Sequence, residues 1–119
     1  MGGKNMIKAS VHLFRRPDLS PDEFVSYWRD THAPLLRSLP DFTSRVRRYT
    51  QQYRLGDLPP GLPLLGCDGV AEIWLDNPVD VIDMFQSVAY QQTVAADEEN
   101  FLDRSKTELL LTTEQSIVE

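Results

Sequence analysis

From Met6 to Phe14 apolar and polar residues alternate, with Ile7, Ala9, Val11 and Leu13 on one parity and Lys8, Ser10, His12 and Phe14 on the other. A period of two predicts a strand whose first set lies under helices and whose mixed second set looks out from the opposite sheet face. After the turn Arg15-Arg16-Pro17-Asp18 the period lengthens. Phe24, Trp28, Thr31 and Leu35 recur at helical spacing and predict the buried side of a helix with a well-marked start. Ser20 is suited to the N-cap, Pro21 has the fixed φ wanted at the first helical position, and Glu23 completes a capping box. Pro34 removes a donor and disfavours helical geometry at Ala33, so the regular helix is expected to end near His32. The dipole of that last turn would favour the protonated imidazole.

One more helical turn is expected over Leu35-Leu36-Arg37-Ser38-Leu39-Pro40, followed by a strand from Ser44 to Arg54. Its alternation is weak and its side chains long and polar, which suits a sheet edge or an interface better than a dry core. Gly56 to Gly66, with Pro59-Pro60 and Pro63, is the longest loop, apolar enough at Leu58, Leu62, Leu64 and Leu65 to lie against something. Gly69 to Asp76 reads as the next strand, with Ala71, Ile73 and Leu75 on one face and Val70, Glu72 and Trp74 on the other. Asn77 and Pro78 then open a helix with the stripe Val79, Ile82 and Phe85. Helix resumes at Ser87 through Tyr90, Val94 and Phe101, with Asp97-Glu98-Glu99 towards solvent, and Thr107 to Ile117 closes the chain as a strand around Leu109, Leu110 and Leu111.

The order β-α-β-β-α-β makes residues 1–119 a single α+β domain, a four-stranded antiparallel sheet with both helices on one face. The other face is left bare. Pairing two copies face to face is the direct way to bury it, so a homodimer is expected.

Tyr27-Trp28-Arg29-Asp30-Thr31-His32-Ala33-Pro34 resembles the W-x-x-x-H-x-P signature of EthD-type members of the dimeric α/β-barrel superfamily. Arg16-Pro17-Asp18-Leu19-Ser20-Pro21-Asp22-Glu23-Phe24 resembles the family's lead-in, and Asp68-Gly69-Val70-Ala71-Glu72-Ile73-Trp74-Leu75-Asp76 its third strand. The resemblance implies a ferredoxin-like βαββαβ protomer that dimerises through its sheet into an α/β barrel, often without metal or organic cofactor. Members of that family include proteins of ether-degradation gene clusters and fungal polyketide-tailoring dehydratases, decarboxylases and oxygenases of anthrone-like substrates.

Composition narrows the partners. Twelve Lys and Arg against eighteen Asp and Glu give a net charge of -6, which repels nucleic acid and anionic membrane. Arg45, Arg47 and Arg48 cluster without stacking aromatics or a basic background, so neither nucleic acid nor membrane is expected as a partner. No run reaches membrane-spanning length and the start lacks a secretory pattern, so a cytoplasmic location is expected. Cys67 is the only cysteine, which leaves no intramolecular disulfide and no thiolate cluster. His12 and His32 lack metal-site spacing, and Gly2-Gly3 is not a phosphate loop. No metal and no cofactor are therefore expected.

His32 is the first candidate for chemistry, because it stands at the signature's histidine position and titrates near neutrality. It is equally readable as a C-terminal cap that bonds the last carbonyls. By parity His12 and Glu72 both face the dimer interior. Glu72, between Val70 and Trp74, would have its pKa raised by burial unless a cation such as Arg45 or Arg47 paired with it; otherwise it would orient or assist a histidine. Trp28, Trp74, Tyr49, Tyr53 and Phe14 are candidate walls for a flat apolar substrate, although aromatics at such spacings also build cores. Tyr27 and Tyr90 are candidate phenolic donors. Together with what the resemblance implies, these residues suggest a cofactor-independent lyase or isomerase acting on a small hydrophobic cyclic or aromatic carbonyl compound, in a catabolic or secondary-metabolite pathway. A cofactorless oxygenase of an anthrone or quinol, and a non-catalytic metabolite binder or accessory subunit, are the alternatives.

Overall fold

Four strands, β1 (Ile7–Leu13), β2 (Arg48–Tyr53), β3 (Gly69–Leu75) and β4 (Glu108–Thr113), form one antiparallel sheet in the order β2-β3-β1-β4. This computed structural model describes residues 6–118, and Gly2-Gly3 lies outside them. The connections are helical. α1 (Pro21–Tyr27), a π-helical turn (Trp28–His32), α2 (Ala33–Ser38) and the short α3 (Pro40–Thr43) join β1 to β2. α4 (Pro78–Gln86), α5 (Val88–Tyr90), a second π turn (Gln91–Ala95), α6 (Ala96–Glu98) and a 3₁₀ turn (Arg104–Lys106) join β3 to β4.

The register places Ala9 opposite Ile73 and Val11 opposite Ala71, so the apolar parities of the two central strands share the face covered by helices. β3 alternates along its length, with Gly69, Ala71, Ile73 and Leu75 buried and Val70, Glu72 and Trp74 half-buried on the other face. Phe24, Trp28, Leu13 and Phe101 fill one part of the core, and Leu36, Phe42, Ile73, Met84 and Val94 another. Trp28 lies so close over the sheet that a Cβ on Gly69 would come within 2.7 Å of its ring.

The capping box forms as expected. Ser20 Oγ accepts from the Glu23 N–H at 3.1 Å, and Glu23 Oε1 accepts from the Ser20 N–H at 2.8 Å. The expected helix end at His32 does not occur. Pro34 brings no N–H for the Asp30 carbonyl and its ring would crowd that group. The helix accommodates it by widening for one turn, in which the Ala33 N–H reaches back to the Trp28 carbonyl, and then continues to Ser38. The extra residue turns the following stripe by about 100°. Thr31, expected inside, is exposed, and His32 and Leu36 are buried in its place.

The second helical connection is re-phased as well. Val81 and Met84 are buried and Phe85 is half-buried, whereas Val79 and Ile82 of the expected stripe are 60% and 52% exposed. Two apolar stripes of equal spacing compete on α4, and its path off β3 selects the first set. The π turn at Gln91–Ala95 accompanies a bond from the Thr93 hydroxyl to the Ala89 carbonyl at 2.5 Å. Asp97 and Glu98, expected in solvent, consequently turn inwards, with side chains 12% and 20% exposed.

Two strands are shorter than expected. β2 begins at Arg48 because the N–H groups of Ser44, Arg45 and Val46 bond back to the Pro40 and Phe42 carbonyls of α3, and β4 ends at Thr113. Residues 56–66 carry no regular structure, as expected. Leu109, Leu110 and Leu111 of the edge strand β4 are 46%, 58% and 42% exposed. Among the described residues no helix is long and apolar enough to cross a membrane.

Candidate active site

A cavity of about 320 Å³ opens between the helices and the sheet, on the face away from Glu72. Its volume lies at the lower end of the range for small-molecule sites, roughly 300–1,000 Å³. Trp28, Phe42, Tyr49, Phe85, Tyr90 and Phe101 supply aromatic walls, and His32, Glu98 and Arg104 line the cavity with an imidazole, a carboxyl and a guanidinium beside the two phenols.

His32 is held in the first π turn, 4% exposed. It does not cap carbonyls. Its Nδ1 lies 2.8 Å from Asp97 Oδ2, and its ring packs 4.7 Å from that of Phe101. Among the described residues Nε2 has no hydrogen-bond partner, and the ring lines the cavity. Asp97 is anchored from two other sides: the Tyr27 hydroxyl donates to Oδ1 at 2.6 Å and Asn100 Nδ2 donates to the same oxygen at 3.0 Å. An anionic Asp97 fixes the tautomer with the proton on Nδ1, leaving Nε2 as a lone-pair acceptor towards the cavity.

Burial lowers the His32 pKa, and the hydrogen bond and charge of Asp97 oppose this only in part. The net direction is thus opposite to the expected dipole effect favouring imidazolium, because the ring is buried. For Asp97 burial acts upwards, but hydrogen bonds from Tyr27, His32 and Asn100 together outweigh it and hold the carboxyl below its usual value. Neutral imidazole beside carboxylate is the form of a general base.

Glu98 forms a second polar group. Burial raises its carboxyl from 4.5 to about 7 against the opposing charge of Arg104, whose Nε is 3.3 Å from Oε1. The Tyr90 hydroxyl lies 3.5 Å from Oε2, and burial pushes that phenol well above its ordinary value, so it stays a donor. Tyr49 is raised by burial too. Its oxygen accepts from Gln51 Nε2 at 3.0 Å, and the same amide donates to the Trp28 carbonyl of the π turn at 3.1 Å. The Tyr49 proton is thereby left for another acceptor.

Of the residues singled out from the sequence, the cavity gathers His32, Trp28, Tyr49 and Tyr90. Tyr27 stands behind it, reaching His32 only through Asp97. Tyr53 packs edge-on against Trp28 and donates to Gln51 Oε1, outside the cavity. Phe14 lies beyond β1 beside Lys106. Glu72, His12 and Trp74 sit on the opposite sheet face, so neither Glu72 nor His12 is placed to assist His32. Glu72 has its cation, though neither of the arginines expected: Lys8 Nζ is 3.3 Å away and Gln52 Nε2 donates at 2.8 Å, while Arg47 pairs with Asp76 at 2.7 Å. The register sets Lys8 next to Glu72 across the β1–β3 ladder and carries Arg47 to the strand end. Lys8 and Arg48 flank the Trp74 ring at 5.5 and 4.9 Å, which makes it part of a charged surface.

Asp97 and Glu98 are the candidate-site side chains that the sequence reading placed in solvent. The available signal was two carboxylates following Tyr90 and Val94 on one expected helix, but their inward phase depends on the second π turn. Among the described residues no group of three or more His, Cys, Asp and Glu side chains is placed to hold a metal ion.

Comparison with curated proteins found no match. Among solved structures, an EthD family protein of Bacillus halodurans is 19% identical, with a TM-score of 0.64 over 92% of this chain and 99% of its own. An EthD-like protein of Ralstonia eutropha is also 19% identical, with a TM-score of 0.65 over 98% and 96%. A dimeric protein of unknown function with a ferredoxin-like fold from Bacteroides fragilis is 14% identical, with a TM-score of 0.64 over 92% and 96%. These likenesses establish the ferredoxin-like fold. The model of the EthD domain matches residues 16–105, from the turn before α1 to the turn before β4, and the chain therefore belongs to the EthD domain family.

Proposed function

We propose that this protein is a cofactor-independent acid–base enzyme that removes a proton next to the carbonyl of a small cyclic or aromatic ketone, in lyase or isomerase chemistry. The observation that carries the proposal is the Asp97–His32 pair: a buried imidazole, oriented by a carboxylate at 2.8 Å, that lines an aromatic cavity with its second nitrogen unpaired among the described residues. His32 Nε2 takes the proton. Asp97 orients the ring and stabilises the imidazolium. Tyr49, whose oxygen already accepts from Gln51, has its own proton available for the enolate oxygen.

The proposal includes a homodimer in the cytoplasm. The exposed leucines of β4 and the sheet face carrying Trp74 and His12 give a second copy a surface to cover, and the Bacteroides fragilis neighbour is described as dimeric. Sedimentation of the purified chain tests this directly.

The catalytic reading is tested with 2-tetralone, an aromatic-fused ketone with acidic C–H bonds, by following deuterium uptake at C1 in D₂O by proton NMR. The wild type is expected to accelerate uptake over buffer. His32→Ala and His32→Gln should each lose about 100-fold in rate, the scale of a general base, while still binding the ketone. Undiminished uptake in both variants would refute the role of His32, and binding without any uptake would favour a metabolite binder. The aromatic walls also suit an electron-rich anthrone or quinol whose carbanion meets oxygen, and oxygen consumption during turnover of such a compound distinguishes that reaction.

A further inference from the structure

The cavity has a second polar pole that proton removal by His32 leaves unused. Glu98 projects from α6 into the same cavity as His32, with the Tyr90 hydroxyl 3.5 Å from one carboxyl oxygen and Arg104 Nε 3.3 Å from the other. Its side chain is 20% exposed, against 72% for the adjacent Glu99. Arg104 is shared with Glu99, whose Oε2 is 3.9 Å from Nη1, so it does not neutralise Glu98 alone. A carboxyl placed this way serves an ion pair less well than it serves a ligand in the cavity.

We propose that Glu98 is the catalytic acid opposite His32, and that the pocket takes flat, enolisable aromatic ketones with the carbonyl oxygen at the Glu98–Tyr90 pole and the acidic C–H towards His32. This rests on the reading of His32 as the base. In the step, the C–H bond breaks and its proton goes to His32 Nε2. The electron pair of that bond becomes the carbon–carbon π bond of the enol. The carbonyl π pair moves onto oxygen and takes the proton of the Glu98 carboxyl, so the products are enol, imidazolium and carboxylate. Reversal returns both protons, and in D₂O it delivers deuterium to carbon. The donor form of Glu98 is populated near neutrality because burial raises the group to about 7. The groups that face it are Tyr90 from α5, Tyr49 from β2, Arg104 from the 3₁₀ turn, Asp97 on its own helix and His32 on the same cavity. Both tyrosines are raised by burial and His32 is lowered, so Glu98 is the one that titrates between about pH 6.5 and 8.5.

The test measures 2-tetralone exchange and, separately, binding of 2-tetralone against the hydrocarbon tetralin, over that pH range, in wild type, Glu98→Gln, Glu98→Asp and His32→Gln. Wild-type exchange should fall as pH rises through about 7, together with the preference for ketone over hydrocarbon. Glu98→Gln should exchange about 100-fold more slowly and lose the falling limb, and Glu98→Asp, one methylene short of the pole, should be slowed while keeping a carboxyl. A Glu98→Gln variant with the wild-type rate and the wild-type limb overturns the proposal and leaves His32 untouched. Loss in His32→Gln alone has the same meaning. If the wild type catalyses no exchange, the base assignment fails, and the binding arm still decides Glu98: a ketone preference indifferent to pH and to Glu98→Gln overturns it.

Discussion

Glu98→Gln should stabilise the protein, and only at high pH. The folded carboxyl titrates at about 7 and its ordinary value is 4.5, so between these two the native state binds more protons than the unfolded chain. Stability must therefore fall as pH rises through that window. Above pH 8 the difference corresponds to about 3 kcal/mol of charge burial, at 1.36 kcal/mol per pKa unit. Some water reaches the side chain, which is 20% exposed, and Gln gives up an exposed ion pair with Arg104 worth ~0–1 kcal/mol. A net gain of about 2 kcal/mol at pH 8.5 remains. For a domain of this size that raises Tm by roughly 8 °C. At pH 5 the native carboxyl is protonated and the gain should shrink below ~1 kcal/mol. His32 has the opposite sign. Its lowered pKa removes stability as pH falls below 6.5, but that contribution is common to both proteins and cancels in the comparison. Urea denaturation of wild type and variant at pH 5 and 8.5 measures the double difference. A stability difference that does not change with pH would refute the assignment of Glu98 as a buried, weakly neutralised carboxyl.

Other perturbations address other links. Asp97→Asn removes the charge that supports imidazolium, so the His32 pKa followed by NMR should fall further and 2-tetralone exchange should slow by about 100-fold; an unmoved titration would show that Asp97 does not govern the ring. Gly69→Ala puts a Cβ 2.7 Å from the buried Trp28 ring and 3.1 Å from the Gln52 carbonyl, and should cost about 1–3 kcal/mol in urea denaturation. Ser20→Ala breaks the capping box and should cost about 1 kcal/mol without changing cavity chemistry, a loss that Ser20→Asp should largely restore. Leu110→Glu, on the exposed edge strand, should shift the protein towards monomer in sedimentation while leaving its circular dichroism intact.

The strand parities, the capping box and the two helix starts were legible because each depends on neighbours within a few residues. Ala9, Ile73 and Leu75 are buried where alternation placed them, and Ser20 and Asn77 cap where their side chains allow it. The site was legible only in part. His32, Trp28, Tyr49 and Tyr90 were named from the sequence and do line one cavity, while Glu72 and His12 were assigned to a face that the sheet separates from His32. Their parity was legible and is as expected; what one strand's alternation does not carry is that the cavity that His32 lines lies under the helices, on the other side of the sheet.

Local sequence thus determined which segments became strands and helices, where the helices begin, and which parity of each central strand meets the core, because backbone preference and side-chain spacing act over a single turn or pleat. Tertiary structure decided the helical phase. Pro34 and Thr93 are each compatible with a broken helix or a widened one, and packing on the sheet selected the widened form. That one-residue offset, taken twice, carries His32 inwards from one helix and Asp97 and Glu98 inwards from the other. A histidine–carboxylate pair 65 positions apart has no periodicity to announce it; only two helices docked on a common sheet bring its members to 2.8 Å.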